Sequence, residues 1–163
     1  MLGKPGCTQV PEDRPYVVNP EFDQKISATI SFTIPTKGVQ EVWKQKDEVY
    51  LLDTREREEY QVSHIEGATY LGYKNPDYTR LEDIPKDAEV VLYCSIGYRS
   101  EKIAEELRKR GYQNVYNLYG SIFEWVNQGY PVVDEAGNVT DKIHTYNRNW
   151  SKWVDEQQAK KVW

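Results

Sequence analysis

An α/β fold, with an open and mainly parallel sheet flanked by helices on both faces, follows from two features of this sequence. Short β-rich runs, among them residues 49–52, 90–93 and 115–118, alternate with segments whose apolar residues recur at helical spacing, the pattern of strand–helix–strand units. The chain has 163 residues, 39% of them hydrophobic and 29% charged, which suits one domain with extensions and suffices for an adequate core.

In chain order, residues 1–25 carry scattered Pro and Gly, with Asn19-Pro20 near their end, and read as an extended or disordered N-terminal extension. Residues 26–34 alternate as an edge strand would, and 36–45 read as a helix introduced by Pro35. The parallel core follows, with strands at 49–52, 68–71, 90–93 and 115–118 and a short helix at 56–62. Asn75-Pro76-Asp77-Tyr78 marks a loop without a functional reading. Ile103, Ala104 and Leu107 give one apolar face to a helix over 101–110; Glu101, Glu105 and Glu106 lie early and Arg108, Lys109 and Arg110 late, complementing the dipole, and Gly111 stops it. Residues 121–128 form a last helix presenting Ile122, Phe123, Trp125 and Val126. The domain therefore spans 26–133. Residues 134–163 form a C-terminal extension whose Trp150, Trp153, Val154 and Trp163 are too apolar for a free tail. It is expected to fold back onto the domain, in part as a short helix; a partner or dimer contact is the alternative use of its tryptophans.

Cys94 holds the most informative position. It ends the run Val90-Val91-Leu92-Tyr93 and precedes a short loop, Ser95-Ile96-Gly97-Tyr98-Arg99-Ser100, that feeds a helix. A helix start presents unpaired N–H groups and partial positive charge, which stabilise an anion such as a thiolate. A cysteine closing a core strand is ordinarily packing. Here Gly97 opens backbone angles closed to other residues, Arg99 brings a cation and a fork of donors, and Ser100 is a good N-cap. The pattern points to an activated nucleophile at the carboxyl end of a strand, the edge where open α/β sheets place their chemistry.

These residues resemble the rhodanese-like, single-domain sulfurtransferases. The loop from Cys94 to Ser100 is similar to their active-site loop. Three further stretches agree in order: Leu51-Leu52-Asp53-Thr54-Arg55, Ser63-His64-Ile65-Glu66-Gly67-Ala68, and Tyr119-Gly120-Ser121 with Trp125, Gly129 and Pro131. The resemblance implies a catalytic Cys94 that takes sulfane sulfur from a donor such as thiosulfate, holds it as a transient persulfide and passes it to a nucleophilic acceptor. It also implies that Ser95, Ile96, Gly97, Tyr98, Arg99 and Ser100 bind substrate, with Arg99 holding the loop and helping to neutralise donor charge. In the family pattern Asp53 and Arg55 support the loop from below, although residues at that spacing most often form a structural ion pair or a helix cap. Phosphatases and arsenate reductases of related architecture keep one residue more between cysteine and arginine than the four present here, which ranks phosphoryl transfer below sulfur transfer.

Two details bear on substrate. Ser95, Ile96 and Tyr98 bring no charge to the loop, so thiosulfate is expected to be a poor donor, and Tyr98 is either an apolar rim for a bulkier one or simply an exposed aromatic. His64 reads as a hydrogen-bonded packing residue rather than a base.

Net charge is −5, which argues against nucleic acid and against anionic membranes as partners. The partners expected are a small-molecule sulfur donor and a thiophilic acceptor, a partner protein being a further candidate. Two cysteines and two histidines, widely separated, make no usual zinc cluster, so neither metal nor resident cofactor is expected. Cys7 reads as an incidental thiol, with a resolving role toward Cys94 as the alternative. No charged-then-apolar leader opens the sequence, so the default location is the cytoplasm, with a trimmed exported form as the alternative. The sequon Asn138-Val139-Thr140 is short enough to arise by chance. The runner-up to the enzyme is a rhodanese-like binding or sensing module.

Overall fold

The computed structural model describes residues 9–163; the expectation for Cys7 lies outside them. Five parallel strands form the central sheet: β1 (Thr36–Lys37), β2 (Tyr50–Asp53), β3 (Thr69–Tyr70), β4 (Glu89–Tyr93) and β5 (Asn114–Leu118), in the order β1-β5-β4-β2-β3. Alternation along the inner strands feeds two cores, because successive side chains leave opposite faces of a sheet. Leu51, Val91 and Tyr93 join one cluster with Phe22, Val42 and Phe123. Leu52, Val90, Leu92 and Val115 join the other, with Ile103 and Leu107. Helices α1 (Pro20–Thr29), α2 (Val39–Gln45) and α5 (Ser121–Asn127) supply the first layer and α4 (Tyr98–Lys109) the second; α3 (Arg57–Val62) follows β2. Among the described residues no helix is long and apolar enough to cross a membrane.

The N-terminal region differs from its expectation. Residues 20–25 are not extended and 26–34 is not an edge strand. Asn19 is an N-cap whose side chain accepts from the Glu21 and Phe22 N–H groups, and Pro20 occupies the first turn, where its missing N–H and fixed φ suit a helix start. Asn19-Pro20 is thus the beginning of α1. Phe22 and Ile26, one helical turn apart, are fully buried, and the bidentate Arg14–Asp23 pair ties the preceding chain to α1. Thr36 and Lys37, expected as helix, pair with Asn117 and Leu118 as the sheet's edge. The helix expected from residue 101 begins at Tyr98, with Gly97 as N-cap, so Ser100 lies inside its first turn rather than capping it.

The C-terminal residues fold back. Strands β6 (Val132–Val133) and β7 (Val139–Thr140) form a hairpin, and β8 (Lys142–His144) pairs in parallel with β9 (Lys160–Val162) around the short helix α6 (Arg148–Ser151). Ile143 and Val154 are buried, and Trp153 stacks on Phe22 at 5.5 Å between centroids. Trp153 is therefore used internally, joining the C-terminal segment to α1. Emptying this contact by Phe22→Ala should lower stability by about 3–5 kcal/mol in urea unfolding, whereas an unpacked N-terminal arm would lose nothing.

Candidate active site

Cys94 directly follows β4 and is 2% exposed. Its Sγ accepts the Gly97 N–H at 3.1 Å and lies 3.5 Å from the Ser100 hydroxyl. That hydroxyl also reaches Asn117 Oδ1 at 2.6 Å, so its single proton serves either Asn117 or the sulfur. Asn117 Nδ2 in turn donates to the Gly97 carbonyl at 3.0 Å, closing a ring of contacts around the loop. Gly97 has φ +128°, a conformation that strains any other residue, and a Cβ there would also press on Ile30 at 3.3 Å and Asn117 at 3.4 Å.

From below, α5 receives the loop. The Ile122 and Phe123 N–H groups donate to the carbonyls of Cys94 and Ser95, and the Cys94 N–H donates to Ser121 Oγ at 3.2 Å. These bonds fix the Cys94 backbone while Sγ lies at the start of α4, where N–H donors and the dipole favour negative charge.

Arg99 is committed to a partner. Its guanidinium donates to both carboxylate oxygens of Glu59 at 2.7 and 2.9 Å and to Ser95 Oγ at 2.9 Å. Burial works against the Arg99 charge, but the Glu59 hydrogen bonds and the nearby Cys94 and Glu59 charges prevail and raise its pKa. Burial likewise works against the Glu59 carboxylate, and its bonds to Arg99 outweigh burial and lower its pKa. Arg99 thus ties Ser95 of the loop to Glu59 of α3, and the Glu59 carboxylate matches its charge.

Asp53 and Arg55 form a bidentate pair with no solvent exposure, at 2.7 and 3.0 Å, and Arg55 also donates to the Ser63 carbonyl. Neither makes a hydrogen bond with the Cys94 loop. The residue between them does so at one remove: the Thr54 N–H and hydroxyl both donate to the Tyr93 carbonyl, immediately before Cys94. His64 bonds the Tyr60 carbonyl through Nδ1 and stacks on the Tyr60 ring at 3.8 Å, a packing arrangement remote from Sγ in role.

Over the thiol lies a pocket of about 290 Å³. Cys94, Ser95 and Ile96 line its floor, and Tyr73, Tyr98, Tyr146 and Trp150 contribute aromatic walls. Tyr98 is 44% exposed at this rim. Tyr146 and Trp150 come from the C-terminal segment. Tyr146, at φ +70°, is held by its own N–H donating to His144 Nδ1 and by Thr145 bonding Val162, and its ring lies 5.3 Å from the Arg99 guanidinium. Burial keeps the His144 pKa below its ordinary value, favouring the neutral ring that can accept this bond.

The family model of the rhodanese-like domain matches residues 38–128, more than half of the chain. The chain belongs to the rhodanese-like domain family. The rhodanese-like fold is also seen in the solved structures it resembles: a Bacillus halodurans protein (TM-score 0.58, 18% identity, covering 73% of this chain and 89% of that one) and the rhodanese-like domain of an Anabaena protein (TM-score 0.57, 20% identity, 61% and 79%). By sequence it is similar to a sulfurtransferase of Allochromatium vinosum, 43% identical over 58 residues, 36% of this chain and 54% of that protein. It is also similar to a tRNA uridine(34) hydroxylase of Bdellovibrio bacteriovorus, 33% identical over 119 residues, 65% of this chain and 34% of that protein. A thiosulfate sulfurtransferase of Coxiella burnetii is 31% identical over 88 residues, 52% and 80% respectively. The chain thus spans about a third of the hydroxylase and about half of the Allochromatium protein.

The family match stops at residue 128, so Tyr146 and Trp150 lie outside the matched rhodanese-like region. Sequence reasoning missed them, together with Glu59 and Asn117. Glu59 carried a usable signal, an acidic residue three positions after Glu56 at a helix start, where the two form a capping box. For Glu59 the expected pH effect has a definite sign. Its lowered folded pKa means that its contribution to stability is complete above the ordinary value of 4.5 and is lost as pH falls through the folded value. Urea midpoints from about pH 7 to about pH 3 should fall less steeply in Glu59→Gln than in the wild type, from a lower neutral starting point.

Proposed function

We propose that this rhodanese-like protein is a sulfurtransferase that carries sulfane sulfur as a persulfide on Cys94. The observation that carries the reading is the position of Cys94 Sγ, 3.1 Å from the Gly97 N–H at the head of α4 and on the floor of an open pocket. The thiolate attacks the sulfane sulfur of a donor, and the leaving group departs with the bonding electron pair. The outer sulfur then faces the loop amides from Ser95 to Ser100, which stabilise its negative charge without a separate base. A nucleophilic acceptor removes that sulfur and regenerates the thiolate. No resident cofactor or metal enters the cycle. The sulfurtransferase names among the relatives support this assignment.

The hydroxylase names favour a second reading, in which the chain serves tRNA modification. A net charge of −5 weighs against RNA as a direct ligand. The binding-module reading has less support, since an adaptor needs no nucleophile on the pocket floor.

Intact mass of the reduced protein after exposure to thiosulfate, 3-mercaptopyruvate and a small-molecule persulfide is the test. A gain of one sulfur atom, removed by cyanide and absent in Cys94→Ser, is expected. No gain from any donor in folded, reduced protein would overturn the reading and favour the binding module.

A further inference from the structure

Charged groups around the pocket are balanced in sign. Arg99 is matched by Glu59 through two short hydrogen bonds, while Lys74 and Glu56, of opposite sign, both line the pocket without an ion pair between them, one Glu56 carboxylate oxygen being buried without a hydrogen-bond partner. The α4 terminus presents about half a positive charge, to which the loop amides add their N–H donors. Beyond the loop a second charge on the donor would meet a lining that is mainly aromatic, with Lys74 and Glu56 opposing each other in sign. The aromatic rings favour an apolar or aromatic body over a charged oxygen. Two of them, Tyr146 and Trp150, belong to the segment that follows the family match, and both are fixed: Tyr146 by the His144 and Val162 bonds around it, Trp150 by its N–H donating to the α6 cap Asn147 at 2.9 Å.

We propose that Tyr146 and Trp150 make the Cys94 pocket select sulfur donors with one negative charge and an aromatic or similarly apolar body, organic thiosulfonates and organic persulfides, over the dianion thiosulfate. The inference rests on the sulfurtransferase reading and names its donor class. With an arylthiosulfonate, the Cys94 thiolate bonds to the terminal sulfur, the bond from that sulfur to the sulfonyl sulfur breaks, and arylsulfinate leaves with the electron pair. Cys94 keeps a persulfide anion, total charge is unchanged, and no further oxidant or reductant is needed. With an organic persulfide the leaving group is the parent thiolate.

Benzenethiosulfonate and thiosulfate share the bond that breaks and differ by a phenyl ring in place of a charged oxygen, so their kcat/KM ratio with cyanide as acceptor reads the selectivity. The ratio should fall about tenfold in Trp150→Ala and in Tyr146→Asn relative to wild type; asparagine tolerates the positive φ at 146. A second readout needs no sulfur transfer: benzenesulfonate should slow alkylation of Cys94 by iodoacetamide in the wild type and fail to do so in either variant, with circular dichroism reporting that each is folded. Persulfide loading with a ratio and protection unchanged in both folded variants would overturn the inference and leave the sulfurtransferase reading standing. Protection by benzenesulfonate that depends on Trp150, with no sulfur gained from any donor, would uphold the pocket's preference and overturn the sulfurtransferase reading.

Discussion

The bidentate contact between Arg99 and Glu59 joins the loop after β4 to the helix after β2, and the site depends on it. Two neighbouring parallel strands end side by side here, and their connections would otherwise be free to separate. A buried ion pair of good geometry does not add large net stability, but losing one partner leaves the other charge stranded. The pair therefore fixes where the loop lies more than how tightly the protein folds. It also sets the electrostatic character of the site. With the guanidinium matched, the groups facing the sulfur are the Gly97 N–H and the Ser100 hydroxyl, which act at short range.

The fold was legible because its strands obey simple periodicities. Leu51 and Leu52, adjacent in sequence, enter cores on opposite faces of the sheet, as expected of a strand covered on both sides. The error over residues 20–34 had a local cause. Asn19-Pro20 is compatible with a turn in an extended arm and with a capped helix start, and only the tertiary fit of Phe22 and Ile26 decides between them. Ser100 shows the same ambiguity at the other helix, where its hydroxyl was free to face the thiol and Asn117 because Gly97 had taken the cap.

Around the candidate site, Cys94, Gly97 and Arg99 stood out in the sequence because a cysteine at a strand-to-helix turn has a short-range pattern, and the structure places them on one loop and helix start. Glu59 and Asn117 act on the loop from 40 and 20 residues away; the capping box marks Glu59 as a helix-start residue but not as a partner of Arg99, and nothing local distinguishes Asn117 from an ordinary strand residue. Tyr146 and Trp150 were harder still. They sit in an extension whose tryptophans could have served any surface, and only the fold-back of β8 along α3 brings them over the thiol.

That fold-back has a temporal side. Thr145 is held by the Val162 carbonyl, and β8 is paired to β9, so the wall carrying Tyr146 is anchored by residues 160–162. During synthesis the sheet, the loop and Cys94 are complete well before those residues leave the ribosome. The nascent protein therefore passes through a stage with Cys94 in place and the wall carrying Tyr146 not yet formed.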